Sequence, residues 1–269
     1  MTDTLVVTDL DRTLIYSNSA MDVRVPDADA PTLVTAEFHE GKPLSYLTLA
    51  AAQLIWRLPE DVLVPATTRT VKQYRRISLP RPAGRYAVTS NGGTILVDGR
   101  PDIRWSAQVR RDIAAAADGA EILGRLMPLT EQGWVRSVRS ADELFYYLVC
   151  ERADGWPDGF LEELGQWCAE REWRISVQGR KVYTLPVHLK KSTAVQRVRE
   201  LAGSHRILAA GDGALDADVL EMADAAIRPR HGELWEQGWQ HPDVRLTETA
   251  GIAAGEEIVR WYAAEFGIS

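Results

Sequence analysis

Only two of the 269 residues are cysteine, Cys150 and Cys168, and they stand in no metal-ligand spacing. They read as small buried hydrophobes in a reducing compartment rather than as a disulfide or a ligand pair. The five histidines are scattered, which argues against a His-based metal site or a His-activated nucleophile. No apolar run approaches the ~20 residues that a membrane span requires. The first strand begins within four residues of the N-terminus, leaving no room for a signal peptide, so a cytoplasmic protein is expected. Basic clusters are also missing: 31 Lys and Arg are spread along the chain against 38 Asp and Glu, for a net charge of -7. That distribution suits neither a nucleic-acid footprint nor a membrane surface. No G-x-G-x-x-G follows the first strand, which counts against a dinucleotide-binding dehydrogenase.

What the chain does have is a 45% hydrophobic composition, enough for a sizeable core in one large or two ordinary domains. Leu5-Val6-Val7-Thr8 is an aliphatic and β-branched run that ends in Asp9, Asp11 and Thr13, the pattern of a buried parallel strand whose C-terminal tip carries chemistry. Taken alone, two acids and a threonine also suit a turn after a strand. Further along, Thr32 to Lys42 reads as a hairpin arm and turn, and Ser45 to Arg57 as a crossover helix stopped by Pro59. Val62 to Ala66 is a second strand ending in Thr67-Thr68-Arg69. A short helix from Val71 to Ile77 leads to a third, Tyr86 to Ser90, ending in Asn91-Gly92-Gly93, with a small hairpin over 94–97 and 101–103 beyond it.

Near Trp105 the rhythm changes. A helix at 105–117, strands at 134–139 and 144–151, a helix at 158–171 and a hairpin at 173–185 repeat a helix-strand-strand unit twice. Such a pair builds a four-stranded antiparallel sheet with both helices on one face and the other face open. Crossovers resume at Ser192, with strands at 206–210 and 225–228 and helices at 192–201, 217–222, 233–239 and 255–266. The pattern predicts an α/β fold: a parallel-sheet core over 1–103 and 186–269, with an inserted α+β domain over 104–185.

Asp9, Thr67 and Asp212 each follow the C-terminal end of a predicted strand, and Lys191 opens a helix. In an open parallel sheet those strand ends line one crevice, so the residues are expected to converge. Clustered carboxylates need a cation, and hard oxygen ligands suit Mg2+. One carboxylate can attack phosphorus as a nucleophile, and a second can protonate the leaving alkoxide and then deprotonate water. A threonine hydroxyl and a lysine ammonium can hold the phosphoryl oxygens.

Asp9-x-Asp11-x-Thr13, Thr67, Lys191 and Gly211-Asp212-(x)3-Asp216, in that order, resemble the four motifs of the haloacid dehalogenase superfamily of phosphatases. The Thr67-Thr68-Arg69 and Ser90-Asn91-Gly92 stretches, with an insertion between the second and third motifs, resemble the Cof-type and sucrose-phosphatase-like branch with a type IIB cap. The resemblance implies a Rossmann-like core, an αββαββ cap and hydrolysis through an aspartyl phosphate. It makes Asp9 the nucleophile and Asp11 the general acid and base. It places Mg2+ on Asp9, the backbone carbonyl of Asp11, Asp212 and Asp216, and phosphate on Thr67 and Lys191. A small phosphorylated metabolite, a sugar or polyol phosphate, is the implied substrate, and a monomer or small homo-oligomer the implied state. A sugar-phosphate phosphomutase and a non-catalytic phosphate-binding regulatory module stay open as alternatives.

Two positions depart from the family. Arg12, where many relatives carry Gly or Asn, either adds a cation at the crevice mouth or, as preferred here, points into solvent. Leu215 replaces a common Asn, removing one polar contact near the metal. Asn91 is first a turn former and second a candidate substrate contact. Arg174 and Gln178 alternate onto one face of a predicted cap strand, where they are candidates to read the substrate.

Overall fold

The computed structural model describes residues 3–23, 25–80 and 84–269. The chain divides into two compact units, Met1–Asp102 with Lys191–Ser269, and Ile103–Lys190.

In the first unit the strand Thr4–Thr8 is buried over Leu5 to Thr8, as an apolar run in the middle of a parallel sheet must be. It lies between Arg206–Ala210 and Leu63–Pro65, with Ala225–Arg228 and then Val244–Leu246 beyond Arg206–Ala210, and every pairing is parallel. Thr8 is in register with both Ala210 and Pro65. Asp9 therefore leaves the sheet beside Gly211 on one side and Ala66 on the other. Val6, Leu208 and Ile227 of the sheet share a core with Leu54, Ile55, Ile258 and Tyr262 from the helices Leu49–Arg57 and Gly251–Glu265.

A three-stranded antiparallel flap, Tyr16–Ser17, Lys42–Thr48 and Leu33–His39, follows the first strand. Here the expected helix from Ser45 is corrected. Residues 45–48 belong to a strand, because Ser45 and Leu47 are buried at a period of two. The helix starts only at Leu49, where Thr48 Oγ1 accepts the Ala51 N–H at 3.1 Å. The strand Tyr86–Thr89 meets the parallel sheet through one bridge, Ala66 to Val88, and pairs antiparallel with Thr94–Val97. The outer arm of that hairpin is Arg100–Pro101, not 101–103, since Ile103 already opens a helix.

The second unit orders its strands Trp173–Gln178, Lys181–Pro186, Phe145–Cys150 and Val135–Ala141, all antiparallel. It carries three helices where two were expected: Ile103–Asp112, Gly119–Leu126 and Phe160–Ala169. Gly119–Leu126 escapes a pattern reading because Gly119 and Gly124 depress its propensity. A Cβ on Gly119 would fall 2.6 Å from Tyr146 Oη, so a larger residue there would have to displace that ring. Asp118 starts the helix by accepting the Ala120 N–H at 2.7 Å. Tyr146, Thr184 and Ile175 lie across from one another on the face these helices cover. Ser176, Tyr183 and Tyr147 form the corresponding row on the opposite face. Among the described residues, no helix is long and apolar enough to cross a membrane.

Candidate active site

Asp9 is fixed by its own strand end: its N–H donates to Ala210 O at 2.9 Å. The chain then turns tightly, with Leu14 and Ile15 N–H both on Leu10 O at 3.0 and 2.9 Å. The turn puts Arg12 at a φ of +65°, a left-handed conformation that glycine and asparagine adopt most readily. Across the sheet, Asp212 follows Arg206–Ala210 directly, and Asp216 turns its Oδ2 back to accept the Gly213 N–H at 2.9 Å. Lys191, first residue of the helix Lys191–Ala202, is 1% exposed. Its Nζ donates to Asp9 Oδ1 at 2.7 Å and to Asp216 Oδ1 at 2.6 Å.

Asp9, Asp212 and Asp216 are all buried, and one oxygen from each lies within 4.8 Å of the others. Burial, followed by repulsion from Asp216, outweighs the Lys191 ammonium and pushes the Asp9 carboxyl up to about 7. Burial and the nearby Asp9 push Asp212 well above the usual carboxylate range. Burial would strip the proton from Lys191, but Asp216 and Asp9 overcome it and hold the ammonium charged. Three acids thus surround one lysine, and their hard oxygen donors and surplus negative charge fit a metal dication.

Bare backbone completes this cradle. A Cβ on Gly232, whose φ is +91°, would lie 2.4 Å from Asp212 Oδ2 and 2.7 Å from its carbonyl oxygen. One on Gly211 would lie 2.4 Å from Asp216 Cβ. Arg12 does not simply point to solvent: its Nε lies 3.6 Å from Asp212 Oδ2 and its Nη2 3.7 Å from Glu236.

Asp11 stands apart from the cluster. Its side chain is 46% exposed, and both oxygens accept from Arg69, Nε to Oδ2 at 2.7 Å and Nη2 to Oδ1 at 2.7 Å. If Asp11 contributes to a metal site, its backbone carbonyl is the available donor. Thr67 is fully buried, and its Oγ1 accepts the Arg69 N–H at 3.1 Å. Asn91, at a φ of +55°, donates its N–H to Thr67 O at 3.0 Å, and Ser90 donates to Arg69 O at 2.8 Å. The Thr67 and Asn91 loops are therefore pinned together. Arg174 and Gln178 lie in the second unit, on the strand Trp173–Gln178 and on the face of Ser176, with Arg174 Nη2 donating to Leu189 O at 3.3 Å.

Several contributors escape a motif reading. Arg69 clamps Asp11, and buried Glu37 lies 3.0 Å from Arg69 Nη1. Glu233 Oε2 accepts the Ala214 N–H at 2.9 Å, giving the loop around Leu215 a polar anchor. His231 Nδ1 accepts the Gly251 N–H at 3.0 Å, so its Nε2–H donates to Arg12 O at 2.7 Å. For His231 and Gly232 the available signal is position, in the loop three and four residues beyond the strand Ala225–Arg228. Glu37 lies on the flap, where no strand-end rule applies.

No family model and no curated protein matches the chain. Solved structures do. A sucrose-phosphatase from Synechocystis, in complex with sucrose and phosphate, is 16% identical with a TM-score of 0.65, over 97% of this chain and 98% of that one. A trehalose-6-phosphate phosphatase related protein is 15% identical with a TM-score of 0.57, over 98% of both chains. A subclass IIB sugar phosphatase of the HAD superfamily is 14% identical with a TM-score of 0.56, over the whole of both chains. At such identities the likeness is one of fold alone, and it runs over nearly the whole of each chain.

Proposed function

We propose that this chain is a Mg2+-dependent phosphohydrolase that releases phosphate from a small phosphorylated metabolite, a sugar or polyol phosphate, through an aspartyl phosphate on Asp9. The observation that carries this reading is the buried cluster in which Lys191 Nζ joins Asp9 and Asp216, at 2.7 and 2.6 Å, with Asp212 alongside. Lys191 occupies Asp9 Oδ1, which leaves Oδ2 to attack phosphorus while the bond to the leaving oxygen breaks. Asp11 gives that oxygen its proton and then takes one from the water that cleaves the aspartyl phosphate, returning Asp9 as a carboxylate. Thr67 and Lys191 hold the non-bridging oxygens as their charge grows. Asp9, the Asp11 carbonyl, Asp212 and Asp216 would hold Mg2+, which would supply the positive charge that lets a carboxylate approach a phosphate dianion.

The substrate class draws on the sugar phosphatases among the similar folds and on the second unit's sheet. Tyr147 and Tyr183, with ring centroids 5.1 Å apart, share a face with Arg174 and Gln178, a mixture of flat rings and hydrogen-bonding groups suited to a polyhydroxyl compound. We assign Arg174, Gln178 and Asn91 to reading that group. The free buried thiols of Cys150 and Cys168 suit a reducing, cytoplasmic setting.

Purified protein with Mg2+ is expected to release phosphate from an aryl phosphate and, faster, from members of a panel of sugar and polyol phosphates, with Asp9→Asn inactive on all. Equal release by Asp9→Asn, or none by the wild type, sinks the reading.

A further inference from the structure

The clamp on Asp11 has a second half. Arg69 spends Nε and Nη2 on the two oxygens of Asp11, each at 2.7 Å. A carboxylate held at both oxygens by one guanidinium is fixed in orientation, and turning an oxygen toward a leaving group means loosening one of those contacts. The third nitrogen of Arg69, Nη1, lies 3.0 Å from Glu37 Oε2. Arg76 Nε lies 3.0 Å from the other oxygen of Glu37, and Ser45 Oγ donates to Oε2 at 3.1 Å.

Glu37 is 2% exposed, on the flap strand Leu33–His39. A bridge from Glu37 to Ile77 and a 2.7 Å bond from Ser78 N–H to Ala36 O tie that strand to the segment carrying Arg76. One guanidinium therefore serves two carboxylates, one buried and fixed, the other half-exposed on the loop after Asp9. Burial and these two acids act in opposite directions on Arg69, and the acids prevail, holding it charged. A buried carboxylate is costly unless paired, and the partner Glu37 shares is the one that restrains Asp11.

We propose that Glu37 is a positioning residue for the proton shuttle. By competing with Asp11 for Arg69, it keeps the Arg69–Asp11 contact exchangeable, so that Asp11 can present an oxygen to the leaving group. The assignment rests on the phosphohydrolase reading above. Without the Glu37 charge, the guanidinium belongs wholly to Asp11 and the shuttle is locked.

Leaving-group chemistry separates this role from a structural one. For a mechanism through a phosphorylated Asp9, kcat/KM reports the steps up to transfer onto that residue. An aryl leaving group departs without a proton, whereas an alkoxide needs one. For Glu37→Gln, kcat/KM for a polyol phosphate is expected to fall about tenfold while that for p-nitrophenyl phosphate changes less than about twofold, with Glu37→Asp recovering part of the loss. Ser45→Ala removes a hydrogen bond from the oxygen that faces Arg69. It should show the same selective loss at about two- to threefold, which keeps the test decisive if Glu37→Gln does not fold. Equal losses on both substrates, or none on either, overturn the role of Glu37 while leaving the hydrolase reading intact. If instead wild type and Asp9→Asn release phosphate from p-nitrophenyl phosphate alike, the hydrolase reading fails and this assignment falls with it.

Discussion

Lys191 carries the sharpest electrostatic demand in the molecule, a single ammonium serving two buried carboxylates. Lys191→Met leaves both without their cation, and such a break costs about 3–5 kcal/mol. A lowered denaturant midpoint is expected, with added Mg2+ recovering more stability in the variant than in the wild type. An unchanged midpoint contradicts the pairing. Asp9, with the likewise raised Asp212, shapes the pH response. The Asp9 carboxyl is raised from 3.8 to about 7 in the fold. Within that window the folded protein keeps a proton that the unfolded chain has lost, and stability falls as pH rises through it. Metal binding needs the carboxylate, so it expels that proton. Affinity should climb with pH through about 7 as Asp9 and the likewise raised Asp212 lose their protons. Calorimetry just below neutrality, in buffers of different ionisation enthalpy, should detect proton release, and identical heats after buffer correction oppose it. These residues were legible in the chain because each follows a strand end or opens a helix at a motif position. Glu37 and Arg12 were not legible in the same way. What they do depends on which distant charge lies within reach, and one-dimensional spacing does not encode that.

At the level of elements, periodicity suffices where it is unambiguous. The strands Arg206–Ala210 and Ala225–Arg228 and the helix Ala217–Met222 fall where pattern puts them. It failed at 45–48, where Leu47 and Leu54 suggest one helical face although Ser45 and Leu47 are buried as strand neighbours. Pairing with residues 33–37 decided that case, and tertiary pairing of this kind overrides local preference. The loop after Ala225–Arg228 packs directly on the acidic cluster. Gly232 lets backbone press against Asp212, so Gly232→Ala must displace that carboxylate or the loop. Metal affinity is expected to fall about 10- to 100-fold, with a smaller loss of thermal stability. Calorimetric Mg2+ affinity equal to wild type contradicts this packing.

Across the whole molecule, the residues proposed for the chemistry and those proposed for substrate choice belong to different units. The buried carboxylates, Lys191 and the Arg69–Glu37 network lie within Met1–Asp102 and Lys191–Ser269, while Arg174 and Gln178 lie within Ile103–Lys190. Gln178→Ala is therefore expected to raise KM several-fold for a sugar phosphate while leaving aryl phosphate hydrolysis unchanged. Parallel losses on both substrates place the side chain outside substrate selection. Phosphorus is proposed to pass through Asp9, and mass analysis of the acid-quenched Asp11→Asn protein after reaction with Mg2+ and an aryl phosphate tests that step. Slow hydrolysis in that variant should let one phosphoryl group accumulate on the peptide carrying Asp9, and its absence is expected when Asp9→Asn is added. A peptide that stays unmodified while phosphate is still being released contradicts the claim.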